Sequence, residues 1–184
     1  MYVENMKNKT EKITVMGLGN ILLTDEGFGV HVIRKLCESY EFPDNVELID
    51  GGVLGFNLLS IILETDKLIV VDVIQNSRKP GTLYRIAHHE IPNRIKAKNS
   101  LHQLDFLETL TKCQAIGDMP ETVIIGTEPQ DIETFCLELT PKLNDKINAV
   151  VDMVLSELNR LNVSYTPKDQ TDNVCRNSCQ NSGN

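Results

Sequence analysis

Residues 67–74 read KLIVVDVI, an almost unbroken apolar run with one acid, Asp72, set into it. A strand with one face in water alternates apolar and polar residues. This one is apolar on both faces, as expected of a central parallel strand covered by helices on each side. Working outward, residues 13–18, ITVMGL, form a second such run that stops at Gly17-Leu18-Gly19. Between the two lie a helical stripe over 27–40 (Val32, Ile33, Leu36, Cys37, Tyr40) and a strand over 46–50, VELID, stopped by Gly51-Gly52. They are followed by LGFNLLSIILE, 54–64, apolar enough that its helix is expected to be buried on more than one side. The order strand, helix, strand, helix, strand predicts an α/β sheet.

Beyond residue 74 the pattern changes. Lys79-Pro80-Gly81 signals a turn, and TLYRIA, 82–87, alternates as an antiparallel or edge strand does. Residues 88–100 are polar and aperiodic, an exposed loop. Leu101, Leu104, Leu107 and Leu110 space a helix over 101–113, and ETVIIGT, 121–127, reads as another buried strand. Thr140-Pro141 supplies an N-cap and a proline at the first helical position. The helix that follows carries Leu143, Ile147, Val150, Val151, Val154, Leu155, Leu158 and Leu161. The expected architecture is one three-layer α/β domain over 13–165, a central, mostly parallel, twisted sheet of about five strands between helices. A flexible extension, 1–12, precedes it, and an Asn-, Ser-, Gln- and Asp-rich disordered tail, 166–184, follows.

A chain of 184 residues suits a single domain. Eighteen Lys and Arg against 26 Asp and Glu give a net charge of −8, which argues against a general nucleic-acid binder. Every long apolar stretch is broken by charges, so no transmembrane helix is expected, and MYVENMKNKTEK at the start lacks an apolar signal core. The expected location is cytoplasmic. Five cysteines cannot all pair. Cys37, Cys113 and Cys136 sit amid apolar periodicity and are expected as buried free thiols, while Cys175 and Cys179 in the tail make an incomplete metal site.

In an open parallel sheet, ligands bind beyond the carboxyl ends of the strands. The sequence places there Gly19, Asn20, Thr24, Asp25 and Glu26 after the first strand. Asp50, Gly51 and Gly52 follow the second, Asp72 closes the third, and Thr127 and Glu128 follow the strand over 121–127. The rim is acidic and selects for cations. His102, opening its helix, is the imidazole with a route to it. Two carboxylates and an imidazole suit a borderline divalent ion such as zinc or nickel, with positions left for water or substrate. Asp72 is the sharpest candidate, because a charge inside LIVV-D-VI is costly without a partner. For Glu26 the competing role is a first-turn carboxylate favoured by the helix dipole. For Thr24 and Asp25 it is N-capping. His31 is read as structural or exposed, and His88 and His89 as surface residues.

Dinucleotide binding fits poorly. Gly17-Leu18-Gly19 lacks the third glycine, since position 22 is Leu, and Asp25 and Glu26 would repel a pyrophosphate. No phosphate-binding G-x-x-x-x-G-K-S/T loop and no G-x-S-x-G elbow is present.

MGLGNILLTDEGFGVHVIRKL, 16–36, closely resembles the N-terminal signature of the nickel–iron hydrogenase maturation endopeptidases. LIDGGVLGFNLL, 48–59, is similar to that family's D-G-G segment, LIVVDVI with Pro80-Gly81 to its third strand and hairpin, and SLHQLDFLETL, 100–110, to its histidine motif. The resemblance spans residues 13 to about 162. It implies a compact α/β fold and removal of a short C-terminal extension from the nickel-loaded hydrogenase large-subunit precursor. Carried over by motif, it implies a divalent-metal set of Glu26, Asp72 and His102, with Asp50 in a supporting role. Where many members have Pro before that His, this chain has Leu101. That change relaxes the backbone at the helix entrance but leaves the imidazole in place.

The expected mechanism is recognition and cleavage through nickel supplied by the precursor, for which zinc or a similar ion can substitute. The ion would act as Lewis acid or lower the pKa of a bound water, or one of the carboxylates Asp72, Glu26 or Asp50 would serve as base in an aspartyl-type reaction. The alternative is a non-catalytic metallochaperone or checkpoint protein that binds the nickel-loaded large subunit and only escorts it.

Overall fold

A computed structural model describes residues 10–52, 58–91 and 119–169. Five strands form one sheet: β1 (Ile13–Leu18), β3 (Val46–Gly52), β4 (Lys67–Val73), β5 (Leu83–Ile86) and β6 (Glu121–Thr127), in the spatial order β3-β1-β4-β6-β5. All neighbours run parallel except β5, which pairs antiparallel with β6 at the edge. This is the mostly parallel, three-layer α/β architecture that the apolar runs predict. Helices α1 (Phe28–Ser39) and α4 (Ile147–Arg160) share one apolar core with Val15, Ile69, Val71 and Val73. Helix α2 (Leu58–Leu63) belongs to a second core with Met16, Leu68, Val70 and Ile74. The two cores take alternate residues of β4, as the two-residue period of a strand requires. Asp72 occupies the place in the row 68-70-72-74 where the second core would otherwise continue.

The chain passes from β1 through α1 to β3 on one side, then crosses back through α2 to β4 on the other. The strand order therefore reverses between β1 and β4, which opens a crevice beyond their carboxyl ends. Helix α1 is held tight over that end by glycine. A Cβ on Gly29 would run into the carbonyl oxygens of Val71 and Leu18, and one on Gly17 into the Gly29 carbonyl.

Several expectations from the sequence need correction. The helix over 27–40 stops at Ser39, and Tyr40 instead opens the two-residue strand β2 (Tyr40–Glu41), which pairs with β7 (Thr166–Pro167). That pairing places the start of the expected tail in an ordered contact, where Tyr165 stacks edge-on against Tyr40. Within 54–64, α2 buries Leu58 and Ile62, one turn apart, while Leu63 stays 42% exposed. An outer-layer helix has only the sheet to pack against, so one stripe is covered rather than several. Cys37 and Cys136 are exposed rather than buried. Cys37 lies one residue past the buried Leu36, which turns it away from the core. The last helix is interrupted: α3 (Pro141–Asn144) ends before α4 begins. Residues 1–9, the helix over 101–113 with His102 and Cys113, and Cys175 and Cys179 lie outside the described residues.

Candidate active site

Glu26 and Asp72 come together at the crevice. Glu26 lies in the 3-10 turn Thr24–Gly27, which follows the loop after β1 and leads directly into α1. Gly19 makes this possible. Its φ of +123° turns the chain out of β1, and a Cβ there would collide with the Glu26 carbonyl. Both carboxylates are buried, Glu26 at 7% and Asp72 at 6% exposure. Desolvation pushes Asp72 up to about 7, with the neighbouring charge of Glu26 adding to the rise, while the Val73 N–H, donating to Oδ1 at 2.8 Å, opposes it. A carboxyl group tuned to neutral pH can take or give a proton there. A buried carboxyl raised by a neighbouring carboxylate also forms a place where a cation relieves the repulsion. The oxygen donors fit a divalent ion. Among the described residues no third His, Cys, Asp or Glu completes a ligating cluster, and His102 lies outside them.

The remaining predicted rim residues divide by what holds them. Asp50 is half-exposed at the end of β3, with Arg34 at 3.6 Å. Strand β1 separates it from β4, so its backbone lies roughly 10 Å from that of Asp72 by strand spacing. Asp25 and Thr24 do not cap a helix. Asp25 is fully buried, and its carboxylate accepts from the N–H groups of Gln130 and Asp131 (2.9 Å each) and from the N–H and hydroxyl of Thr140 (2.8 and 3.1 Å). The Thr24 hydroxyl donates to the Thr134 carbonyl at 2.6 Å. Both tie the segment 128–140 to the site. Thr140 sits at the N-cap position of α3, but its hydroxyl bonds Asp25 instead of capping. Consecutive acids thus have different work: Asp25 anchors a loop and Glu26 faces Asp72.

Glu128 is also buried. It accepts the Asn76 N–H through both oxygens (2.9 and 3.1 Å) and a short hydrogen bond from the Tyr84 hydroxyl. It thereby fixes the loop after β4 beside Asp72. Sequence reasoning did not single out Tyr84, which the alternation of 82–87 shows only as a strand residue. Thr127 is buried at the end of β6, and its hydroxyl has no hydrogen-bond partner among the described residues. His88 is half-buried rather than a surface residue, because its Nδ1 accepts the Thr122 N–H at 3.0 Å. His31 is half-buried on α1. Desolvation lowers its pKa, and Arg34 lowers it further.

A family model described as hydrogenase maturation protease matches residues 30–157. A hydrogenase expression/formation protein of Bradyrhizobium diazoefficiens is 38% identical over 153 residues, 82% of this chain and 80% of its own. The hydrogenase 2 maturation protease of Escherichia coli is 34% identical over 160 residues, 86% of this chain and 97% of its own. The solved structure of a hydrogenase maturating endopeptidase from Escherichia coli superposes with a TM-score of 0.81 at 34% identity, covering 88% of this chain and 99% of that one.

Proposed function

The chain belongs to the hydrogenase maturation proteases, and from that premise we propose that it removes a C-terminal extension from a nickel-loaded hydrogenase large-subunit precursor, reading the nickel that the precursor carries. The observation that carries this reading is the buried Glu26–Asp72 pair in the crevice between β1 and β4. Burial raises the Asp72 pKa to about 7, so this carboxyl can hold a proton near neutral pH. A cation brought by the substrate would be attracted to the pair and would favour the ionised form of Asp72, its proton passing to solvent. Glu26 and Asp72 would then be ligands, with His102 as the third by its motif. The precursor's ion would supply Lewis-acid polarisation of the scissile carbonyl. Water would add to that carbonyl carbon, and the proton it loses would pass to the nitrogen as the C–N bond breaks, so that a carboxyl terminus and an amine are released.

The chain's own contribution is placement. Gly19 and Gly29 bring the 3-10 turn and α1 close to the strand ends, Asp25 and Glu128 fix the loops on either side, and burial keeps water from screening the pair. Asp50, across β1 from the pair, would support the substrate chain rather than the reacting bond. Among the described residues no helix is long and apolar enough to cross a membrane. Action in the cytoplasm, on a folded precursor, is part of the same proposal.

The test is the intact mass of the nickel-loaded precursor before and after incubation with the purified protein, with nickel-free precursor in parallel. Loss of a short C-terminal peptide only from the nickel-loaded form is the expected result. Equal cleavage of both forms overturns the role of nickel. A stoichiometric complex with unchanged mass would favour the escort alternative over proteolysis.

A further inference from the structure

We propose that Leu22, Phe135 and Leu137 form a rigid apolar platform on which the precursor docks, through a segment that carries apolar side chains flanked by Lys or Arg. The described residues include four strongly exposed large hydrophobic side chains, and three are these: Phe135 at 83%, Leu137 at 62% and Leu22 at 52%. They are carried on two paired segments. Leu23 bridges Cys136 in parallel, the Cys136 N–H donates to the Leu22 carbonyl (3.1 Å), and the Thr24 N–H donates to the Cys136 carbonyl (2.9 Å). The pairing is locked from beneath by Thr24 on Thr134 and by the four bonds to Asp25. A loose loop can fold apolar side chains away from water, but this fixed one holds them out. An apolar patch held exposed in this way marks an interaction surface.

The occupant follows from position and charge. Leu22 and Glu26 are four residues apart on one loop, so a substrate that reaches the Glu26–Asp72 crevice lies beside the platform. Glu133 and Glu138, both exposed, flank the apolar residues and select for a basic neighbour. Residues 170–184 contain a single branched aliphatic residue, Val174, and do not offer a matching apolar segment. Three side chains also fall well short of the roughly 800 Å² per partner of a stable self-association interface. The platform therefore serves as one part of a larger contact that includes the crevice. This inference rests on the reading that the chain processes a hydrogenase precursor.

The experiment compares wild type with Phe135→Ser/Leu137→Ser and with Glu133→Lys/Glu138→Lys. It measures steady-state cleavage of the nickel-loaded precursor, direct binding of that precursor, thermal midpoint and mass in solution. The expected result is KM raised roughly tenfold or more by the apolar double variant, the size of one well-packed aromatic contact, with kcat and thermal midpoint unchanged. Phe135→Leu should restore most of it, and the charge-reversed variant should bind more weakly at low salt than at high salt relative to wild type. An unchanged KM overturns the platform. If wild type does not cleave, the proteolytic reading fails, and binding alone decides: weaker binding by the double variant supports the platform, and equal binding overturns it. A wild-type dimer that the double variant converts to monomer assigns the surface to a second copy and also overturns it.

Discussion

Glu26 and Asp72 meet as a buried carboxylate pair across the β1–β4 crevice, where desolvation by burial, with a smaller push from the Glu26 charge, raises Asp72 to a pKa of about 7, far above its ordinary 3.8. The folded state therefore binds a proton at Asp72 between about pH 4 and 7 that the unfolded chain has released. Stability falls as pH rises wherever the folded state holds the extra proton. The contribution from Asp72 is present in full below pH 4 and is lost progressively as pH rises through 7. Replacing Asp72 by Asn removes it. The difference in unfolding free energy between wild type and Asp72→Asn should change by a few kcal/mol between pH 4 and pH 8, with wild type the weaker at pH 8. Urea titrations at both pH values read it directly, and a pH-independent difference would refute the raised pKa.

The same substitution should stop the reaction. Asn is neutral, takes no proton and is a poor cation ligand, so Asp72→Asn should lower processing at least about a hundredfold, the usual contribution of a positioned acid–base group. Greater stability at pH 8 combined with lost activity would identify a group kept at a cost to the fold. Processing near the wild-type rate would remove Asp72 from the mechanism.

The sheet was legible because its signal is local: short, largely apolar runs at 13–18, 67–74 and 121–127, rich in Val and Ile, suit central strands, and 82–87 alternates as an edge strand such as β5 does. Asp72 stood out for the same reason, as a charge in a row of aliphatic residues. Asp25 could not be separated from Glu26 in this way. Its partners Gln130, Asp131 and Thr140 lie more than 100 residues away, and no periodicity encodes a contact at that separation. Cys37 faces water because apolar neighbours do not fix direction, and one residue along a helix turns a side chain by about 100°; Cys136 faces water because its segment is bridged to Leu23 at the surface rather than packed in a helix. Asp50 was drawn onto the rim by its place at a strand end, and only the strand order shows β1 between it and Asp72.

Gly29 offers a test of how closely α1 must approach the sheet. A methyl group there meets two backbone carbonyls, of Val71 and Leu18, and neither can rotate away. Gly29→Ala should destabilise the fold by about 2–3 kcal/mol, in the range of core overpacking. It should also reduce processing, because α1 continues from the turn that carries Glu26. Chemical denaturation together with the precursor mass assay measures both, and an Ala variant with wild-type stability would show that the helix has room to shift.

Tyr84 should ionise well above the ordinary range of a phenol. Desolvation and its hydrogen bond to Glu128 push its pKa up to about 12. A phenol with a raised folded-state pKa stabilises the fold below its ordinary value of 10, and that contribution is lost as pH rises through 12. In an absorbance titration, the component that Tyr84→Phe removes should lag the ordinary phenol value of 10 by about two pH units. Glu128→Gln should shorten that lag. A Tyr84 component that titrates near pH 10 would refute the contact.

Asp25→Ala separates the anchoring acid from the reacting one. It leaves the N–H groups of Gln130, Asp131 and Thr140 and the Thr140 hydroxyl without the acceptor they share. A buried donor left unmet costs about 1–3 kcal/mol, and because these donors are only partly buried the fold should lose about that much in all unless the segment opens to water. Opening relieves that cost and frees residues 130–140 to move. Amide exchange should then accelerate at Gln130, Asp131 and Thr140 while Val70 and Ile125, in central strands, stay protected. Asp25→Asn should behave much the same, because an amide presents one acceptor oxygen where the carboxylate offers two. Unchanged exchange at these three amides would show that another contact holds the segment, and Asp25 would lose its role as the anchor.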